Sequence, residues 1–128
     1  MSGLKRHLTV GYEAALAAIP DALKTEGFGV LTQSDVKETL QQKIGAEFRR
    51  YKILGACNPH LAHRALSSEL DVGIMLPCNV VVYEGDDGQA TVLAIDPMQT
   101  VAAHNPALRP IAEEVQGKLL RVLDKLPQ

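Results

Sequence analysis

The chain has 128 residues, 46% of them hydrophobic and 22% charged, which is the size and composition of a single globular domain. Its net charge is −2, with three tyrosines, two phenylalanines and no tryptophan, which argues against the basic field and stacking side chains of nonspecific nucleic-acid binding. The sequence has no run of about 18 apolar residues for a membrane span and no signal-peptide pattern. We therefore expect a cytoplasmic protein with reduced cysteines and neither a membrane nor a nucleic-acid partner.

Hydrophobic spacing and turn residues predict alternating strands and helices, ending in a hairpin and a last helix. In chain order these are a strand at 5–10, a helix at 12–26, a strand at 28–32, a helix between Asp35 and Gly45, a strand at 48–56, a helix at 59–69, strands at 73–84 and 90–95 around the turn EGDDGQ, and a helix ending near 125. Asp35 with Glu38 resembles a capping box, and Asn58-Pro59 combines an N-cap with a proline at the first helical position.

The only two cysteines lie in the stretches YKILGACNP (51–59) and LPCNVVVYE (76–84), and each precedes an asparagine. Cys57 ends one predicted strand, and Cys78 begins the next strand after an intervening helix. Parallel strands would place the two thiols at opposite edges of the sheet, whereas antiparallel strands would place them at the same edge. The residues alone leave both arrangements open.

The stretches GFGVLTQSDVKETL, YKILGACNPHLAHRAL, IMLPCNVVVYE and AIDPMQ resemble the domain of unknown function 302 family over essentially the whole chain. The resemblance implies one α+β domain over residues 1–128. Its expected fold is a curved, mainly antiparallel sheet of about five strands packed on helices, similar to the TATA-binding-protein-like fold but without implied DNA binding. The family has no assigned reaction. With an antiparallel sheet, Cys57 and Cys78 would converge at one edge, with Asn58, Asn79 and His63 close by.

Two kinds of thiol chemistry are consistent with this edge. A helix N-terminus beside Cys57 would favour its thiolate, so Cys57 could act as a nucleophile with His63 as its base. Alternatively, Cys57, Cys78 and His63 could supply three ligands to a soft metal such as zinc. The structural alternative is that both cysteines pack in the core as small hydrophobic residues.

The same edge could also bind a small anion. The N-terminus of the helix at 59–69 offers backbone N–H groups, and Asn58, Asn79, Arg64 or Lys52 could assist. No nucleotide-cofactor motif is present. The leading hypothesis is therefore a binding or sensing module for a small anionic ligand or a soft metal. The alternatives are a thiol-dependent enzyme and a homodimeric subunit or adaptor, whose sheet edge or helix face pairs with a second copy.

Overall fold

The computed structural model describes residues 4–128, which form an open five-stranded antiparallel sheet with helices, an α+β fold as expected. The strands lie in the order β1-β5-β4-β3-β2. In chain order the strands and α-helices are β1 Leu4–Gly11, α1 Tyr12–Lys24, β2 Gly29–Asp35, α2 Val36–Ile44, β3 Tyr51–Cys57, α3 Pro59–Ser68, β4 Cys78–Glu84, β5 Gln89–Ala94 and α4 Arg109–Asp124. Short 3-10 helices occupy Leu70–Met75, Pro97–Gln99 and Val101–His104.

The hydrophobic core lies between one face of the sheet and the helices α1, α3 and α4. Alternate strand residues such as Leu54, Val80, Val82 and Val92 are buried on this face, as the two-residue period of a strand requires. Helical spacing in the sequence predicts a buried face on the last helix, and its members all lie in the core: Ile111, Val115, Leu119, Val122 and Leu126.

The opposite face of the sheet is less covered. Register places Ile53 opposite Val81, Val81 opposite Leu93, and Tyr51 opposite Tyr83 on this side, and all five side chains are only half-buried. We refer to this surface as the open face. An antiparallel sheet often keeps one face toward solvent, but a polar surface is then usual.

The predicted helix boundaries are largely confirmed. Asp35 Oδ1 accepts a hydrogen bond from the Glu38 backbone N–H at 3.0 Å, and Gly45 ends α2 in the left-handed conformation with φ 64°. Within residues 4–128, no helix combines the length and the apolar character that a membrane span needs.

Some strand boundaries were wrong. The strand expected at 73–84 begins only at Cys78, because Pro77 cannot donate a ladder hydrogen bond and restricts the residue before it. Residues 70–75 form a 3-10 helix instead, which packs Val72 into the core. The second strand continues beyond the expected 28–32 to Asp35, because its pairing with β3 extends to Lys52.

Candidate functional site

The antiparallel pairing of β3 and β4 brings the two cysteines to the same end of the sheet. Ala56 pairs with Cys78, so Cys57 lies one residue further along β3. Successive side chains of a strand point to opposite faces, so Cys78 faces the core, against which it packs, and Cys57 faces the other side. Both cysteines are free thiols.

Two adjoining cavities flank Cys78 beneath α3 and α4. One, of about 50 Å³, is bounded by Cys57, Asn58 and Cys78 at the strand ends. The other, of about 60 Å³, extends toward the 3-10 segments. The residues that line both are Ala65, Leu76, Cys78, Ile111 and Val115. Almost all the lining atoms are apolar, so the cavities favour an apolar guest. We refer to them together as the Cys78 cleft.

The electrostatics of the cleft keep its central thiol neutral. Burial, and secondarily the nearby Cys57, raises the pKa of Cys78 to about 11. The thiolate is the nucleophilic and metal-binding form of cysteine. At neutral pH, Cys78 therefore contributes a protonated, weakly polar sulfur to the cleft.

Asn58 lies at the mouth of the cleft, and both the oxygen and the nitrogen of its side chain form hydrogen bonds within the fold. Its Oδ1 accepts from the Leu61 backbone N–H at 3.3 Å, and its Nδ2 donates to the Glu26 carbonyl at 3.1 Å. The side chain therefore caps α3 and ties that helix to the turn after α1. The backbone N–H of Ala62 donates to the Asn58 carbonyl, and Pro59 has no N–H. Of the first four residues of α3, only His60 retains a free N–H for an anion.

The other residues predicted from sequence lie away from the cleft lining. Arg64 is exposed and pairs with Glu114 at 3.2 Å, and Asn79 is exposed beside the open face. Lys52 lies five residues before Cys57 on β3, roughly 16 Å along the strand. His63 lies on the exposed side of α3, two positions from each of the buried residues Leu61 and Ala65.

The three predicted metal ligands, Cys57, Cys78 and His63, do not come together as a metal site. Within residues 4–128, no group of three His, Cys, Asp or Glu side chains is placed to hold a metal ion. Cys57, Cys78 and His63 thus do not form a three-ligand arrangement. His63 is exposed on α3 and Cys57 is half-buried at the end of β3, and the pairing of the two as nucleophile and base stays a prediction.

Sequence reasoning missed the contribution of α4 to the cleft. Helical spacing indicates that Ile111 and Val115 are core residues, but the spacing of an amphipathic helix does not reveal which strand end it covers. Their buried periodicity was the only available signal.

Sequence reasoning also missed a polar cluster on the open face at the hairpin end. His7 Nε2 lies 2.9 Å from Asp87 Oδ2, and His7 Nδ1 lies 3.1 Å from Thr91 Oγ1. A backbone hydrogen bond from Gln89, and secondarily His7, lowers the pKa of Asp87, so its carboxylate accepts from Nε2–H. Thr91 is only 3% exposed; its hydroxyl therefore orients the imidazole rather than attacking a substrate.

Comparison with known proteins agrees with the sequence motifs. The family model described as "Domain of unknown function DUF302" matches residues 4–126. The fold is similar to the crystal structure of an uncharacterized conserved protein DUF302 from Bacillus stearothermophilus, with 35% sequence identity, 98% of each chain covered and a TM-score of 0.90. No curated protein matches the chain.

Proposed function

The chain belongs to the DUF302 family, whose description names no reaction, and from that premise we propose that it is a binding module for a small apolar molecule. The Cys78 cleft carries this proposal. It lies at the sheet end where the sequence motifs predict a site, and its lining is nearly devoid of polar atoms. Apolar lining of this kind favours an apolar guest such as xenon over a polar one.

The size of the cleft limits its ligand. Cavities of about 50 and 60 Å³ are smaller than the roughly 150 Å³ apolar cavity known to hold benzene. The guest is therefore a few heavy atoms in size, or the apolar end of a larger molecule whose polar part remains outside, near Cys57 and Asn58. A neutral thiol at Cys78 fits such a guest, since sulfur is soft and polarizable.

The anionic and metal-bound versions of the site receive less support from the geometry. The side chain of Asn58 and most of the first N–H groups of α3 already have partners. A thiol with a pKa of about 11 gives up its proton to a metal reluctantly at neutral pH. The thiol-enzyme version would rest on Cys57 alone, with His63 brought to it by a movement of α3.

The test uses xenon as the apolar probe, with phosphate and zinc as the anionic and metal probes, monitored by methyl NMR. We expect xenon to shift the methyl signals of Leu76, Ile111 and Val115, and phosphate and zinc to leave them unchanged. Ala65→Val adds two methyl groups to the wall shared by both cavities and should abolish the xenon shifts. Ala107→Val, at an exposed alanine, is the matched control and should retain them. Shifts from zinc or phosphate alone would overturn the proposal.

A further inference from the structure

The Cys78 cleft is long and narrow. It runs past the ends of three neighbouring strands, because Cys57 ends β3, Cys78 begins β4 and Ile95 follows β5. Ala56 pairs with Cys78, and the Ile95 backbone N–H donates to the Asn79 carbonyl at 3.0 Å, so the three positions lie side by side. With neighbouring strands about 4.8 Å apart, the cleft extends over roughly 10 Å. Its two cavities have volumes of only about 50 and 60 Å³ along this length.

The two ends of the cleft differ in polarity. Asn58 lines only the first cavity, at the end where Cys57 is half-buried. The residues that line only the second cavity are all apolar, among them Val72, Met75 and Leu108. A guest with one polar end therefore has one favourable orientation, with its polar end at Cys57 and Asn58 and its apolar end toward the 3-10 segments.

The volumes set how many carbon atoms the cleft takes. An apolar cavity of roughly 150 Å³ holds benzene, which corresponds to about 25 Å³ for each carbon. At that ratio each cavity of the cleft takes about two carbons, and the two cavities together take about four. A ring or a branched group needs its carbons in one place and exceeds either cavity. A row of single carbons is distributed over both.

We propose that the ligand of the Cys78 cleft is an amphiphile with an unbranched alkyl chain, whose last carbons, about four in number, extend from the first cavity into the second. This inference rests on the proposed function and gives the chemical class of its ligand. Ala65 on α3 and Cys78 on β4 line both cavities, one from the helix side and one from the sheet side. Both side chains are small, so an unbranched chain passes between them and a branched chain does not. The neutral thiol gives the chain a soft, polarizable contact at that point.

The first test is a series of primary alcohols from ethanol to 1-heptanol, added to the full chain and followed by methyl NMR. The carbon that bears the hydroxyl stays at the mouth, so 1-pentanol is the shortest alcohol that fills both cavities. We expect Kd to fall about fourfold for each added carbon up to 1-pentanol, as for the burial of one methylene, and to level off beyond it. 1-Pentanol should shift the methyl signals of Leu61 in the first cavity and of Val72 and Leu108 in the second. An affinity that keeps rising to 1-heptanol, or shifts confined to one cavity, would overturn the inference.

The second test compares two isomers with the same head group and does not depend on a variant folding. 2,2-Dimethyl-1-propanol has the carbon count and the primary hydroxyl of 1-pentanol, but its chain is branched. We expect it to bind at least about tenfold more weakly, because it cannot place its last carbons in the second cavity and each buried carbon contributes about fourfold. Equal affinities of the two isomers would refute the unbranched chain.

A substitution at the far end of the cleft tests the orientation of the chain. Ala112 lines only the second cavity and is 4% exposed. Ala112→Val adds two methyl groups there, so the gain in affinity with chain length should end at 1-propanol. Ala17→Val, at an exposed alanine inside α1, is the matched control and should keep the wild-type series.

Xenon separates this inference from the proposed function. Xenon shifts at Leu76, Ile111 and Val115 without a preference between the two isomers would overturn the alkyl chain and leave the apolar site standing. A wild-type protein that gives neither xenon shifts nor alcohol shifts would overturn both.

Discussion

Raising the pH above 9 should weaken the folded state through Cys78. Burial, and secondarily Cys57, raises the pKa of this thiol from 9.0 to about 11. Between these values the unfolded chain has lost the proton and the folded chain keeps it, so the free energy of unfolding falls as pH rises. At about 1.4 kcal/mol per pKa unit, the loss should be about 1 kcal/mol by pH 10 and about 2 kcal/mol by pH 11.

The assay is urea unfolding from about pH 8 to 11 for the wild type, Cys78→Ala and, as control, Cys57→Ala. Lysines and tyrosines also titrate in this range, so the informative quantity is the difference in unfolding free energy between wild type and variant. That difference should shrink with pH for Cys78→Ala by the stated amount. A difference that stays constant to pH 11 would refute the reasoning, as would alkylation of native Cys78 near pH 7 at the rate of an unfolded cysteine.

Three further substitutions test the surroundings of the site. Asn58→Ala removes both the α3 cap and the hydrogen bond to the Glu26 carbonyl. The free energy of unfolding measured with denaturant should therefore fall by about 2 kcal/mol. A fall of less than about 0.5 kcal/mol would mean that these hydrogen bonds are not formed. Gly55→Ala would place a Cβ 2.7 Å from Pro77 Cγ and should lower stability by about 1–3 kcal/mol; Gly29→Ala, whose Cβ would meet open space, should have a clearly smaller effect on the same measurement. Hydrogen bonds from Lys125 and then Arg121 lower the pKa of Glu26, so Glu26→Gln should reduce thermal stability at neutral pH, and its deficit should vanish as acid protonates the wild-type carboxylate.

Local signals in the sequence predicted the ends of the helices well. Asp35, Gly45 and Asn58 act through hydrogen bonds or dihedral angles within a few residues of themselves, so their consequences can be read without knowing the rest of the fold. The prediction of a strand at 73–84 was wrong because the structure of this segment depends on contacts with residues that are distant in sequence. Its apolar residues suit a strand as well as a core-packed 3-10 turn, and the choice depends on where Val72 finds the core.

For the site as well, the sequence predicted some features and the tertiary structure decided the others. The motifs around Cys57 and Cys78, together with the family resemblance, correctly placed both cysteines at one end of an antiparallel sheet. The one-residue offset between them was not readable, because register depends on hydrogen bonds between strands that are distant in sequence. That offset turns Cys57 and Cys78 to opposite faces. The walls of the cleft were equally hidden, because they come from α3, α4 and the 3-10 segments together.

The sequence by itself determined the α+β composition, the helix caps, the hairpin and the buried stripe of the last helix, because each follows from periodicity or from contacts between near neighbours. Only the tertiary structure decided the chemistry of the Cys78 thiol, whose pKa is raised mainly by the burial that tertiary packing creates. It also decided which apolar residues remain uncovered. Ile44 and Val115 are equally apolar as residue types, but one lies exposed on α2 and the other lines the Cys78 cleft.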